Sequence, residues 1–442
     1  MSHPRTVDVD RFIDDLGFTR FHARVIAIAT AMMMIDGYDL ALVGWVLPDL
    51  ARSFAVAPTA ITPALVAQQI GMVIGAYLLA PLADRVGRRP ILLAAVIGIS
   101  ASCCATTFTS GIWSFAICRL ITGMFASTII ANLVAMSTDL SPTRLRGTIA
   151  TVVLTGSMGG AMLGALMQAF VLEDYGWRGA LWIGAALPLV MLPIMFLFLP
   201  ESLRFLVSRR RGDARIERLV RTMQPAGAQP IVITEPTVAA APAGLPEFLR
   251  YALHPDRKAR TALLWALFVC SFLFISTFSA WSTTLYKQMD TLSWQQLAIT
   301  TALYTTFGAV GTLSAGIMID RFGFARVLPL LFLVGGGAVL AIGLTGSTHA
   351  LFAAIAIMAF FQVGAHSGLS ALAAATYDAR WRASGVGWAY GAGRITSIFG
   401  PMIGAALIHL GTAKALTFAL LGLPLIAAAA IAPFLLRRNP TD

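Results

Sequence analysis

Twelve apolar runs, each about as long as a bilayer core is thick, decide most of what this chain can become. They lie at approximately 23–47, 61–82, 91–110, 112–137, 147–171, 179–199, 260–285, 296–318, 325–346, 350–376, 384–409 and 413–436. At about 1.5 Å per helical residue, some 20 residues cross a hydrocarbon core of roughly 30 Å. The runs fall into two groups of six, separated by a polar stretch from Glu201 to Arg260. Only 12% of the 442 residues are charged and the mean hydropathy is +0.78, whereas about a quarter of a soluble domain is charged. The expectation is an all-α polytopic membrane protein of twelve transmembrane helices in two pseudo-symmetric six-helix bundles. Residues 1–200 would form the first bundle, 201–259 the loop between bundles and 260–442 the second. The first run has no signal-peptide cleavage pattern and is too long for an h-region, so it is expected to remain as a membrane helix.

The formal charge of +11 invites a nucleic-acid reading, but the Lys/Arg positions explain it differently. Of 32 basic residues, 26 lie in the N-terminal tail, the even-numbered loops and the C-terminal tail. Four (Arg52, Arg178, Lys287 and Lys414) lie on the opposite side, and Arg119 and Arg394 lie inside runs. By the positive-inside rule both termini and the middle loop are expected in the cytoplasm, with no nucleic-acid partner needed. The Arg209–Arg211 cluster is sufficiently explained as a basic loop beside anionic lipid. The middle loop also holds a Pro/Ala-rich tract, Pro225 to Pro246, of linker-like composition. Cys103, Cys104, Cys118 and Cys270 all fall in apolar segments without metal-ligand spacing and read as small buried hydrophobes.

The halves repeat each other. Gly75 precedes Asp84-Arg85-Val86-Gly87 by nine residues, and Gly311 precedes Asp320-Arg321-Phe322-Gly323 by the same interval. Arg144-x-Arg146 recurs as Arg380-x-Arg382, and the common offset of 236 carries Gly164 onto Gly400. Related six-helix bundles about a central cavity are the expectation.

Within the apolar run from Val25 to Leu47 the only charges are Asp36 and Asp39, in the tetrad Asp36-Gly37-Tyr38-Asp39. A carboxylate at bilayer depth costs about 2.5–3.5 kcal/mol even on the lenient insertion scale. Positions i and i+3 share a helix face, so both acids can point into one cavity. The alternative is a loop or cap at a helix break beside Gly37. The only deep cations are Arg119 and Arg394, one from each half.

These residues resemble the major facilitator superfamily. Gly75 to Arg89, with Asp84, Arg85, Gly87 and Arg88, is similar to its loop 2–3 signature. Pro200-Glu201-Ser202-x-Arg204-Phe205 resembles the motif that ends its sixth helix, and Arg119-x-x-x-Gly123 the fourth-helix motif of proton-linked members. Within it, three segments resemble the aromatic acid:proton symporters: Asp36-Gly37-Tyr38-Asp39, Gly364-Ala365-His366-Ser367-Gly368-Leu369, and Gly385-Val386-Gly387-Trp388 through Gly393-Arg394-Ile395 to Gly400-Pro401. His366 departs from the uncharged polar residue, such as Gln, that the resemblance leads one to expect.

What the resemblance implies is a bacterial inner-membrane symporter that imports an aromatic carboxylate with protons by alternating access. It is expected to be a monomer, to need no cofactor beyond the coupling proton, and to be no enzyme. Asp36 and Asp39 are the candidate proton pair. Arg119 is equally a candidate for proton coupling and for substrate contact, or simply neutralises one of the acids. Arg394 is the candidate for the substrate carboxylate, because a guanidinium stays charged and binds carboxylate bidentately. Tyr38, His366, Trp388 and Tyr390 are candidate substrate contacts, with Trp281 and Tyr304 as further rings. Gly75, Asp84, Arg85, Gly87, Arg88, Asp139 and Arg144, and more weakly Asp320 and Arg321, are candidates for a network that latches the halves. Gly156-Ser-Met-Gly159-Gly160 lacks the Gly-Pro pair of many drug:proton antiporters, which favours uptake. An importer of aliphatic or sugar acids, or a transporter-like chemoreceptor, remains the alternative.

Overall fold

Each apolar run forms a helix in the computed structural model, and five of these helices extend past their run by a turn or more at one end. The structure describes residues 5–208, 213–224, 231–234, 245–289, 292–378 and 381–436. Arg209–Arg211, Arg380 and most of the Pro225–Pro246 tract lie outside the described residues. Among the described residues, twelve helices are long and apolar enough to cross a membrane: Arg20–Ser53, Pro58–Val86, Arg88–Thr107, Ile112–Asp139, Thr143–Phe170, Leu172–Phe198, Lys258–Gln288, Trp294–Phe322, Phe324–Leu344, Thr348–Thr376, Ser384–His409 and Lys414–Leu435. They are called spans 1 to 12 below. Phe108, Trp113 and Leu344 are each about three-quarters exposed, as suits side chains that face lipid rather than water.

Three spans are irregular for reasons visible in their residues. Span 2 passes through a π turn at Gly75–Leu79 and a 3-10 turn at Ala80–Leu82 that contains Pro81. Span 6 breaks at Gly176, which has φ 59°. Asp49 stabilises the break by accepting the Trp177 N–H at 2.8 Å, so the straight part of the helix starts where the apolar run starts. Span 11 is bent around Ser397, between the helices Arg382–Thr396 and Phe399–His409.

Small residues fix how the helices approach. A Cβ on Gly75 would collide with the Met124 carbonyl, and one on Gly311 with the Phe360 carbonyl. Both partner pairs are 236 residues apart, so the repeat extends to matching contacts. Gly87 (φ 119°) and Gly323 (φ 76°), also 236 apart, each end a helix in a backbone region that side chains rarely adopt. The offset is shifted further along. Gly164 abuts Trp45, and the glycine that abuts the matching Trp281 is Gly404. By contact, Gly164 therefore corresponds to Gly404, one helical turn beyond the Gly400 read from the sequence.

The chain packs as two compact units. The first comprises Met1–Leu40, Ile70–Gly160 and Leu181–Ala240, and the second Ala41–Gln69, Ala161–Ala180 and Ala241–Asp442. The first unit holds an addition to the all-helical expectation: strand β1 (Arg5–Asp8) pairs in parallel with strand β2 (Ile231–Thr234). The helix Val9–Leu16 follows β1 and buries Val9, Phe12 and Ile13 in the core of that unit.

Candidate functional site

Span 1 is helical from Arg20 to Ser53, without a break at Gly37. The alternative of a loop beside Gly37 is thus excluded, and the glycine has a packing role instead. A Cβ there would collide with the Ser157 carbonyl of span 5, while Gly160 of span 5 lies against Met34 and Tyr38. This close approach seats the tetrad in the protein, and Asp36, Tyr38 and Asp39 are each 1% exposed.

Arg119, on span 4, is fully buried and pairs with Asp39, Nη1 to Oδ1 at 3.2 Å. Its Nη2 donates to Thr106 Oγ1 at 3.2 Å and to Cys103 Sγ at 3.3 Å. The Cys103 thiol in turn donates to Asp39 Oδ1 at 3.1 Å. Arg119 also lies 6.0 Å from the centre of the Phe115 ring. A buried pair repays its desolvation better the more hydrogen bonds reach both groups. Cys103 and Thr106 supply some from span 3, while Asp39 Oδ2 and Arg119 Nε have no hydrogen-bond partner among the described residues. Neither Cys103 nor Thr106 was singled out by the sequence, where cysteine reads as a hydrophobe. Cys103 is buried as expected, but as a hydrogen-bonded member of the cluster.

The second unit gathers a different set. His366 Nδ1 shares a hydrogen bond with Ser271 Oγ at 2.9 Å. Its ring stands edge-on to Phe272 with centroids 5.0 Å apart, and Tyr390 lies 5.7 Å from Phe272 and 6.2 Å from His366. Tyr390 exchanges a hydrogen bond with Ser370 at 2.6 Å. Arg394, one turn past Tyr390, is half-buried with its guanidinium carbon 6.0 Å from the Phe272 ring centre. His366, Tyr390 and Arg394 therefore converge on Phe272, a residue missed because phenylalanine is common throughout the chain. Trp388 does not join them. It stacks on Trp265 at 6.5 Å, as its spacing of two from Tyr390 requires on a helix. Trp281 is buried and donates to the Pro401 carbonyl at 2.9 Å, a packing role. Tyr304 donates to Gln362 at 3.3 Å.

The loop motif and the end of span 6 meet in the first unit. Glu201 Oε1 accepts the backbone N–H groups of Arg88 (2.9 Å), Arg89 (3.3 Å) and Ser202 (2.9 Å). Arg88 pairs with Asp139, which also accepts Ser202 Oγ at 2.8 Å. Gly87 must be glycine here, since its φ is positive and a Cβ would strike Glu201. Asp84, Arg85 and Arg144 are exposed. At the start of span 5 it is Arg146, rather than Arg144, that forms an ion pair among the described residues. Its partner, at 2.9 Å, is Asp10, which also binds Arg204. In the second copy Asp320 and Arg321 are exposed, with Arg321 5.4 Å from the centre of the Phe322 ring.

Twelve membrane-length helices among the described residues, with ionisable side chains buried in spans 1 and 4, define a polytopic membrane protein. By sequence, the chain belongs to the Major Facilitator Superfamily, whose family model matches residues 29–299 and 289–442. It is 32% identical over 427 residues to a gallate transporter of Pseudomonas putida, covering 96% of this chain and 94% of that protein. It is 29% identical over 411 residues to the 4-hydroxybenzoate transporter PcaK of Pseudomonas putida, covering 92% and 91%. The structure of the xylose transporter XylE from E. coli, in a partially occluded inward-open conformation, matches with a TM-score of 0.71 at 16% identity, over 93% of this chain and 98% of that one. At that identity the likeness carries the fold alone. The family and these relatives are transporters, in line with the expectation of a transporter rather than an enzyme.

Proposed function

We propose that this chain is a proton-coupled symporter that imports an aromatic carboxylate, of the benzoate or hydroxybenzoate class, by alternating access. The observation that carries the reading is the fully buried Asp39–Arg119 pair, with a second acid, Asp36, one helical turn away on the same span. Two carboxylates and one guanidinium leave one negative charge in excess. A single proton neutralises that cluster, and the proton belongs to the pair rather than to one member. The relatives that transport gallate and 4-hydroxybenzoate support an aromatic cargo.

In the second unit, Arg394 provides the charge for a carboxylate, and Phe272 with Tyr390 provides ring faces and edges for an aromatic body. His366, Ser271 and Ser370 supply polar atoms for ring hydroxyls. Coupling answers an energetic need: an anion entering a negative-inside cell climbs about 2.3 kcal/mol per charge per 100 mV, which co-transported protons offset. On this reading the bundles 1–200 and 260–442 rock about the substrate, joined by the cytoplasmic loop 201–259, with both termini in the cytoplasm of a bacterium. The chain works as a monomer. The Glu201–Arg88–Asp139–Ser202 network holds one end state, and Asp84, Arg85, Arg144, Asp320 and Arg321 belong to the charges whose contacts are exchanged as the state changes.

Uptake by proteoliposomes of a panel of benzoates, hydroxybenzoates and aliphatic dicarboxylates, with and without an inward proton gradient, tests the reading. A ring-bearing acid should accumulate only with the gradient, and Arg394→Ala should abolish accumulation of that acid. Asp36→Asn should abolish gradient-driven accumulation while preserving exchange of internal for external substrate. If no carboxylate accumulates in response to the gradient, symport is wrong. Accumulation of dicarboxylates alone would remove the aromatic class.

A further inference from the structure

A cavity of about 580 Å³ opens in the first unit where spans 1, 3 and 6 end, on the side the basic-residue count assigns to the cytoplasm. Four arginines line it: Arg24 of span 1, Arg89 of span 3, and Arg215 and Arg218 of the helix Asp213–Met223. Arg215, Arg218 and Thr222 are spaced i, i+3 and i+7, so that helix turns one face into the cavity. Its other acid–base pair, Arg221 with Glu217, is already closed by an i,i+4 bridge and lies outside the lining.

The four arginines have charge to spare. Among the described residues, none of them forms an ion pair. Arg24 and Arg89 lie over the Phe198 and Phe196 rings, at 5.5 and 5.3 Å. Arg89 also donates to the Phe196 carbonyl, yet its Nε is buried with no hydrogen-bond partner among the described residues. The one acid in the lining, Glu201, is committed through Oε1 to three backbone N–H groups. Beside the arginines the end of span 6 presents Phe196, Leu197 and Phe198, which are 60%, 71% and 48% exposed. A concentrated positive pocket at the end of membrane helices, edged by exposed apolar rings, matches a ligand with an anionic head and a hydrocarbon body.

We propose that this cavity binds the phosphodiester of an anionic phospholipid, with the guanidinium groups on the phosphate oxygens and the acyl chains along Phe196, Leu197 and Phe198. Arginine is suited to this because its planar fork offers paired donors to phosphate oxygens. The bound head would tie the helix Asp213–Met223 to the ends of spans 1 and 3. Basic pockets at the membrane face are a general means of lipid recognition. Here the site is specified by which arginines form no ion pair among the described residues.

The test uses the full chain, delipidated in a neutral detergent and titrated in turn with short-chain phosphatidylglycerol, short-chain phosphatidylcholine and inorganic phosphate, with bound lipid read by native mass spectrometry and the unfolding midpoint read in parallel. Phosphatidylglycerol should bind and raise the midpoint, while phosphatidylcholine and inorganic phosphate bind more weakly. The double variant Arg215→Gln/Arg218→Gln should bind phosphatidylglycerol about thirtyfold more weakly, the scale expected for two interfacial arginines. Arg221→Gln, on the same helix but outside the pocket, should bind like the natural chain, and Arg24→Gln should weaken binding from the span 1 side. Undiminished phosphatidylglycerol binding by the double variant overturns the site. Inorganic phosphate binding as tightly as phosphatidylglycerol overturns the lipid as its occupant.

Discussion

At the scale of single residues, the Asp39–Arg119 contact constrains the protein most tightly. Both side chains are essentially excluded from solvent, so neither charge can be left alone cheaply. Removing one partner of such a pair typically costs about 3–5 kcal/mol, because the other remains buried and uncompensated. Asp39→Asn should therefore lower the unfolding midpoint markedly in detergent. Asp39→Asn/Arg119→Gln should recover most of the loss while remaining inactive in gradient-driven uptake. If the double variant is no more stable than the single one, the pair is not what holds Arg119 in place. Much of this cluster was legible, since an acid or arginine inside an apolar run stands out against the insertion cost. The pairing itself was open between Asp36 and Asp39, because both lie on one face. Cys103 and Thr106 were invisible for the opposite reason: thiols and hydroxyls are common in membrane helices and acquire meaning only from what they touch. Trp388 shows the converse, a conspicuous aromatic in a matching motif that turns toward Trp265 rather than the Phe272 cluster.

At the scale of the helix, small residues set the distances. Gly37 and Gly160 let spans 1 and 5 touch through their backbones, which places the acids where they are. Gly160→Ala should force the spans apart and cost about 1–3 kcal/mol, the usual range for overpacking. Gly337→Ala in span 9 is the control, since no atom lies within 4 Å of its Cβ position. There the change should be neutral or stabilising by about 0.4–1 kcal/mol. Thermal melting of the two variants side by side checks the contrast, and equal stabilisation would show that helix propensity rather than packing dominates. The helices themselves could be located from apolar length alone, because hydrogen-bond satisfaction within lipid leaves few other solutions. Their irregularities could not. The break at Gly176 depends on the contact of Asp49 with Trp177, made with a residue well over a hundred positions away.

At the scale of the molecule, the N-terminal segment does more than lead into span 1. The helix Val9–Leu16 inserts Val9, Phe12 and Ile13, none more than 3% exposed, into the first unit. Its Asp10 binds Arg146 at the start of span 5 and Arg204 in the helix Leu203–Ser208. Those ion pairs are partly exposed, so they should contribute only about 0–1 kcal/mol each. A fully buried apolar side chain is worth about 1.5–3 kcal/mol. Deleting residues 2–16 should thus lower the unfolding midpoint far more than Asp10→Asn. Equal effects would mean that charge, rather than burial, anchors the segment. The sequence shows the segment only as a polar tail before the first apolar run.

The parallel pairing of Arg5–Asp8 with Ile231–Thr234 also sets an order of events during biosynthesis. β1 leaves the ribosome ahead of span 1, and its partner follows 223 positions after Asp8. At roughly 5–20 residues per second, the leading strand waits about 10–45 s while six helices enter the bilayer. Closure of the ribbon is therefore a late mark that the first half of the chain has been threaded, and a bulky fusion at the amino end would be felt at that moment rather than at insertion.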